Sequence, residues 1–326
     1  MYSEFYGLAA RPFQLTPDAR FFFESAVHRQ AMAYLVYGLH HAEGFIVITG
    51  EVGAGKTILV DNLLATIDAT TFVTAKIVTS QLGSDDLIHL VAAGFGIAKE
   101  GLAKGALLQR INDFVIAQHR GGRRALLVVD EAQNLSFGAL EELRMLSNIV
   151  VDRTMALQSF LLGQPQFRAN LGSPELEQLR QRVTAAYHLG PLSEADTRAY
   201  IEHRLRRAEW KGDPRFTESS FSLIYRHTEG VPRRINVLCS RLLLYGFLER
   251  HHTLPESAVE KVANDLREEL AVIALRRPAA VQDGGREIHS EFADRLDAVE
   301  DKLSRHEGLI RRALEIVARY FLGEER

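Results

Sequence analysis

Gly50-Glu51-Val52-Gly53-Ala54-Gly55-Lys56-Thr57 is the stretch on which the reading of this 326-residue chain turns. It follows the apolar run Phe45-Ile46-Val47-Ile48-Thr49 and precedes a helix-like segment from Ile58 to Ile67. The G-x-x-x-x-G-K-[ST] spacing is intact, and the order strand, glycine-rich loop, helix predicts a phosphate-binding loop. Glycines let consecutive backbone N–H groups converge on phosphate oxygens, and the N-terminus of the following helix adds a favourable dipole. In such a loop Lys56 reaches the β- and γ-phosphates, and the Thr57 hydroxyl binds Mg²⁺. The expected contacts to a nucleoside triphosphate are Gly50, Glu51, Val52, Gly53, Ala54, Gly55, Lys56, Thr57 and Ile58. A glycine-rich turn that binds nothing is the alternative, and the flanking strand and helix argue against it.

Outward from the loop, apolar strand-like runs alternate with amphipathic helical segments between Phe45 and Leu189. The strand candidates are Phe45–Thr49, Thr71–Val78, Ala125–Val129, Leu157–Leu162 and Val183–Leu189, with helical segments after Lys56, Ser84, Gly105, Ser136 and Pro174. This alternation predicts an α/β fold, a three-layer α/β/α core on a mainly parallel five-stranded sheet. Several runs are continuously apolar, as expected for strands covered on both faces.

After Pro191 the strand signal disappears. Helical periodicity covers segments around Glu194–Glu209, Glu218–His227, Arg233–Glu249 and Glu256–Leu270, punctuated by turns at Lys211–Pro214, Glu229–Pro232 and His252–Pro255. The expected organisation is an N-terminal element packing on the core (1–44), an α/β nucleotide domain (45–190), an all-α lid (191–275), a linker (276–285) and an amphipathic helix (286–326). In the last segment Phe292, Leu296, Val299, Leu303, Ile310, Ala313 and Val317 recur at heptad-like steps, with His306 interrupting the seam. Self-association of this helix as a coiled coil is the preferred reading; an amphipathic helix folding back on the body is the alternative. Acidic residues from Glu291 to Asp301 and basic ones from Lys302 to Arg319 favour antiparallel pairing.

A bound triphosphate does not by itself imply hydrolysis, so the groups that activate water matter. Leu126-Leu127-Val128-Val129-Asp130-Glu131 is an apolar strand ending in two carboxylates, at the sheet edge where open α/β folds bind ligands. Asp130 is suited to hold Mg²⁺, and Glu131 to polarise the attacking water as a base. An exposed Asp-Glu pair at a strand end is the bland reading, and its register after a phosphate loop disfavours it. The strand Leu157–Leu162 ends in Gly163-Gln164-Pro165, where Gln164 is placed to contact the γ-phosphate or the water; otherwise it is a turn residue before proline. Arg180 and Arg182, just before the last strand, are candidates for a transition-state arginine acting across an oligomer interface, or else two solvated arginines. Arg233, in Gly230-Val231-Pro232-Arg233-Arg234, opens a lid helix from which it reaches back to the nucleotide; Arg234 reads as structural.

Composition sets bounds on the rest. Hydrophobic residues make up 46% and charged residues 25%, ordinary for a globular protein. A net charge of −3 argues against a globally basic nucleic-acid binder and leaves a local patch open. Cys239 is the only cysteine, so no internal disulfide forms, and its apolar helical setting predicts a buried, inert thiol. The pairs His40-His41 and His251-His252 lack i,i+4 spacing and join no Cys/His cluster, so no zinc is expected. The N-terminus lacks signal-peptide character and no apolar stretch reaches the roughly 18 residues of a membrane span. The expected location is the cytoplasm, with any membrane attachment through partners.

Taken together these residues resemble an AAA+ ATPase, with Walker A at Gly50–Thr57, Walker B at Asp130-Glu131 and a helical lid carrying a G-x-x-R motif. Phe5-Tyr6-Gly7-Leu8, Arg11-Pro12-Phe13, Leu15-Thr16-Pro17-Asp18, Asp130-Glu131-Ala132-Gln133, Leu162-Gly163-Gln164-Pro165 and Gly230–Asn236 resemble the general secretion pathway protein A-like ATPases. Within them the chain is similar to the branch found at exosortase/PEP-CTERM loci, associated with exopolysaccharide production. The resemblance covers roughly residues 1–270. It implies ATP as the nucleotide, Mg-dependent hydrolysis, a homo-oligomer, and a protein partner in a membrane-associated secretion or polysaccharide assembly. It also implies sensor roles for Gln164 and Arg233. Two departures stand out: Ala19 replaces a common proline, and neither a transmembrane segment nor a peptidoglycan-binding domain follows the ATPase region. A DNA-associated helper ATPase of transposition shares this core, and would need a basic surface from Arg204, Arg206 and Arg207, or Arg233 and Arg234. A nucleotide-dependent scaffold with little turnover is the third reading.

Overall fold

The computed structural model describes residues 2–16, 18–41, 44–79, 83–98 and 101–275. The chain divides into a compact unit, Met1–Glu268, and a second one, Glu269–Arg326, of which only the end of one helix is described. The linker expected at 276–285 and the heptad-like helix at 286–326 lie outside the described residues.

Five parallel strands form the central sheet: β1 (Phe45–Gly50), β2 (Phe72–Val78), β3 (Arg124–Asp130), β4 (Leu157–Gly163) and β5 (Val183–Leu189), in the order β2-β3-β4-β1-β5. The inner strands are buried along almost their whole length, whereas the edge strand β5 alternates between exposed and half-buried residues until Leu189. This separates the continuous apolar runs from the mixed one: only a strand with neighbours on both sides and helices on both faces excludes water everywhere.

Successive residues of each strand point to opposite faces. Phe45 and Val47 pack with Leu127, Val129, Leu157 and Leu161 on one face, beneath helices α3 (Ser84–Gly94), α4 (Lys104–Arg120) and α5 (Phe137–Leu146). Ile46 and Ile48 pack with Leu126, Val128, Phe160 and Leu162 on the other, beneath α1 (Ala26–His41) and α2 (Lys56–Thr66). Each such fully buried aliphatic side chain contributes about 1.5–3 kcal/mol. The three-layer core is as expected.

Two local expectations need correcting. The helix expected after Pro174 is a 3₁₀ turn, Pro174–Leu176, followed by a single α-turn, Glu177–Arg180. A helix absent from the sequence reading, α6 (Pro165–Leu171), starts directly after Gln164. Pro165 occupies its first turn, where the fixed φ of proline is favourable and no N–H is needed. A short hairpin, Val150–Val151 with Thr154–Met155, turns through Asp152 and Arg153, both at positive φ.

The helical part contains α7 (Glu194–Arg207), α8 (Glu218–Thr228), α9 (Pro232–Leu248) and α10 (Glu256–Leu275), close to the expected segments. A two-residue parallel pair, Arg215–Phe216 with Thr253–Leu254, joins its loops. Its core holds Ile201, Leu205, Ile224, Ile235, Leu242 and Cys239, whose thiol pKa is pushed far up by complete burial. Tyr6, Leu8, Phe13 and Phe21 enter this same core, while α1 packs on the sheet. The N-terminal segment is therefore divided between the two layers, instead of packing on the α/β core alone.

Candidate nucleotide site

The site lies where β1, β3 and β4 end. After Gly50 the chain turns through Gly53 (φ +82°) and Gly55 (φ +102°), and α2 begins at Lys56. Both glycines sit in left-handed backbone that side chains rarely adopt, and both are crowded by neighbours. A Cβ on Gly53 would fall 2.2 Å from Arg233 Cβ, and one on Gly55 would fall 2.7 Å from His28 Nε2.

Lys56 is 6% exposed, and Nζ donates to the carbonyls of Gly50 (2.7 Å) and Glu51 (3.0 Å). Burial lowers its pKa, opposed by the charges of Glu131, Asp130 and Glu51. An ammonium has three donors, so two anchor the side chain along the loop and one is left for an anion. Asp130 is 2% exposed and is gripped from two sides: Oδ2 accepts from Thr57 Oγ1 (2.7 Å) and Oδ1 from the Glu131 N–H (2.9 Å). Thr57 and Asp130 thus present adjacent hard oxygens with free lone pairs. That donor set suits Mg²⁺.

Glu131 stands at the turn leaving β3 in left-handed backbone, φ 57° and ψ 39°. Its Oε2 accepts from Gln133 Nε2 (2.6 Å) and from Gln164 Nε2 (3.1 Å). Gln133 Oε1 in turn accepts from the Gln164 N–H (2.9 Å). Partial burial raises the Glu131 carboxyl pKa, but the two amides and the Lys56 charge outweigh it, leaving the group below its ordinary value and ionised near neutrality. Thr79, at the end of β2, donates its hydroxyl to the carbonyls of Asp130 and Glu131 and fixes the turn from behind.

The structure brings together Lys56, Thr57, Asp130, Glu131 and Gln164, five of the residues singled out in the sequence. Arg233 joins them through its backbone: its N–H donates to the Gly53 carbonyl (3.2 Å), and its side chain is exposed. Arg234 pairs with Glu229 at the surface. Arg180 and Arg182 are not brought in. Arg180 pairs with Glu177, and the carbonyl of Arg182 accepts from Phe45 N (2.8 Å), at the opposite end of β1 from Gly50.

Three residues of this arrangement were not assigned from the sequence. Gln133 stands in the sequence only as part of Asp130-Glu131-Ala132-Gln133, and Thr79 carries no signal beyond following a strand. His28 is 5% exposed under the phosphate loop, with Nδ1 2.7 Å from Ser25 Oγ. Its burial lowers its pKa, against the Ala54 backbone and the charge of Asp196. Its position follows from the packing of α1, so no local pattern announces it.

The sheet order, the loop and the paired carboxylates define a P-loop fold of the AAA type. Residues 39–171 match the family model described as AAA domain. The chain is 37% identical over 267 residues to general secretion pathway protein A of Aeromonas hydrophila, covering 82% of this chain and 48% of that protein. It is 28% identical over 206 residues to the Mu-like prophage FluMu DNA transposition protein B of Haemophilus influenzae, covering 62% and 66%. The chain thus spans less than two thirds of the length of either relative. Among solved structures, Cdc6p from Pyrobaculum aerophilum gives a TM-score of 0.61 at 15% identity, over 78% of this chain and 70% of that one. The ORC2 protein of Aeropyrum pernix gives 0.59 at 16%, over 83% and 72%. At such identities the likeness concerns the fold.

Proposed function

We propose that the chain binds ATP with Mg²⁺, hydrolyses it, and acts as a switch whose helical lid reads the state of the nucleotide. The observation that carries this reading is the Glu131 carboxylate, ionised and oriented by two amides beside the Thr57–Asp130 pair, with Oε1 free of any partner among the described residues. When bound at Thr57 and Asp130, Mg²⁺ supplies charge neutralisation of the phosphate oxygens. Lys56 holds the β- and γ-phosphates with its remaining donor. Glu131 Oε1 accepts a proton from a water whose oxygen bonds to the γ-phosphorus. The bond from that phosphorus to the β–γ bridging oxygen breaks, and ADP leaves with the electron pair. Gln164 orients the base and the γ-phosphate. Arg233 couples the nucleotide to the lid, and Arg180 or Arg182 completes a neighbouring copy's site in a homo-oligomer.

Similarity to general secretion pathway protein A supports a role in a secretion system. We infer from the sequence motifs the finer form, in which the chain energises an envelope-associated assembly through a protein partner, with exopolysaccharide export at an exosortase/PEP-CTERM locus. The protein would then work in the cytoplasm at the inner membrane. Among the described residues no helix is long and apolar enough to cross a membrane. Glu131→Gln is expected to retain ATP and to lower phosphate release by about 10²-fold or more. Equal release from both proteins would overturn the assignment of the base.

The likeness to a transposition protein supports a second reading, a DNA-associated ATPase. The basic surface it needs is reduced, because Arg204 is 6% exposed inside the lid and Arg206 pairs with Glu202. A salt-sensitive shift of duplex DNA by the full chain would favour it.

A further inference from the structure

Gln133 is joined to both sides of the reaction centre, and the functional reading above gives it no role. Its amide bridges the ends of two strands: Nε2 donates to Glu131 Oε2 at 2.6 Å, and Oε1 accepts from the Gln164 N–H at 2.9 Å. Gln164 closes the ring by donating Nε2 to the same Glu131 oxygen at 3.1 Å. The orientation of the Gln133 amide is not arbitrary. A flipped amide would set its NH₂ against the Gln164 N–H and its oxygen against a carboxylate, losing both bonds to like-for-like contacts.

The ring has a chemical consequence. Two neutral donors converge on one oxygen of Glu131, leaving the other with its lone pairs available to accept a proton from water. Glu131 also stands at φ 57°, a conformation unfavourable for a non-glycine residue that persists only where its surroundings hold it. Gln133 supplies that hold from the 3₁₀ turn Ala132–Asn134, whose Asn134 side chain donates to the Thr79 carbonyl at 3.1 Å. The ring therefore connects the ends of β3 and β4, and through Asn134 that of β2.

We propose that Gln133 is a positioning residue for hydrolysis: it fixes which Glu131 oxygen faces the water, and it locks Gln164 to that carboxylate so the two act as one unit. This rests on the reading of Glu131 as the base. Among the described residues Gln133 bonds to Glu131 and Gln164, whereas the Thr57–Asp130 pair is held by its own bonds. Loss of Gln133 is therefore expected to lower the rate of the chemical step and leave nucleotide binding intact.

The test uses the full chain with Gln133→Ala and Gln133→Glu, alone and combined with Glu131→Gln. Affinity for a fluorescent ATP analogue with Mg²⁺ is measured beside steady-state phosphate release. For Gln133→Ala, kcat should fall roughly 10- to 100-fold, the scale on which misplacing a catalytic group acts, with affinity within about twofold of wild type. Gln133→Glu keeps the acceptor for the Gln164 N–H but faces Glu131 with a second carboxylate, and should lose at least as much. In the Glu131→Gln background neither change should lower the residual rate further, since the group being positioned is gone.

An unchanged kcat in Gln133→Ala, or the same fold-loss with and without Glu131, would overturn the proposal. So would a loss of ATP-analogue affinity in proportion to the loss of rate, which marks a purely structural residue. Failure of the underlying reading looks different: Glu131→Gln itself would then hydrolyse like wild type.

Discussion

Gly53→Ala probes how the glycine-rich loop after β1 and the start of α9 are joined. The new Cβ would fall 2.2 Å from Arg233 Cβ, 3.1 Å from its Cγ and 3.0 Å from its Cδ. Carbon atoms in contact sit about 3.5–4.0 Å apart, so the start of α9 must withdraw by about 1.5 Å. That movement breaks the 3.2 Å bond from the Arg233 N–H to the Gly53 carbonyl, worth about 1 kcal/mol. An alanine at φ +82° adds about 1–2 kcal/mol of backbone strain. The expected loss is about 2–3 kcal/mol in urea unfolding, with a lower midpoint and an unchanged slope. The clash partner is a β-carbon, which distinguishes sterics from charge. Arg233→Ala removes the guanidinium but keeps the clash, whereas Arg233→Gly removes the clash. In the glycine background Gly53→Ala should cost only the strain, so a double-mutant cycle should show coupling of about 1 kcal/mol, and the alanine cycle almost none. Equal costs in all three backgrounds would refute the reasoning and mean that α9 does not rest on Gly53.

Two more predictions follow from buried side chains. His28 has a folded pKa below its ordinary 6.5, so above that value both folded and unfolded forms are neutral; below it the unfolded chain takes up a proton that the folded one resists. Stability should fall as pH drops below about 6.5, by up to about 1.4 kcal/mol per pH unit from this group. His203 is shifted in the same direction, so the comparison is His28→Gln against wild type, where the slope should flatten by no more than one proton; identical slopes would count against it. Arg204 is held by its Nη1 donating to Tyr200 Oη (2.9 Å), by the Pro12 and Gln14 carbonyls, and by its position over the Phe21 ring. Arg204→Met should cost about 2–4 kcal/mol in urea unfolding by orphaning those carbonyls and loosening the N-terminal segment; a change under about 0.5 kcal/mol would sink this account.

The chain pattern alone determines much of this architecture. The loop Gly50–Thr57 and the five apolar runs follow local rules, because a strand covered on both faces must be apolar throughout and a phosphate loop needs glycine where φ is positive. Lys56, Thr57, Asp130, Glu131 and Gln164 come together because each lies at the end of a strand or the start of a helix, and parallel α/β topology gathers those points at one edge. The segment after Pro174 departs from that logic: helical residues there make only single turns, since Glu177–Arg180 must give way to β5 at Val183.

Other features arise only once distant parts meet. His28 comes under the loop because α1 covers the face of the sheet that also carries α2, and Gly55 leaves no room between them. Gln133 and Gln164 are far apart in sequence yet share one carboxylate oxygen, because β3 and β4 are neighbours in the sheet. Arg204 reads as a surface cation beside Arg206 and Arg207, but the N-terminal segment closes over it and supplies its carbonyl partners. Local patterning specifies which residues build strands, turns and helices, because those depend on backbone and neighbours within a few positions. Pairings of buried polar groups depend on which surfaces come together, and that is decided by the tertiary fold.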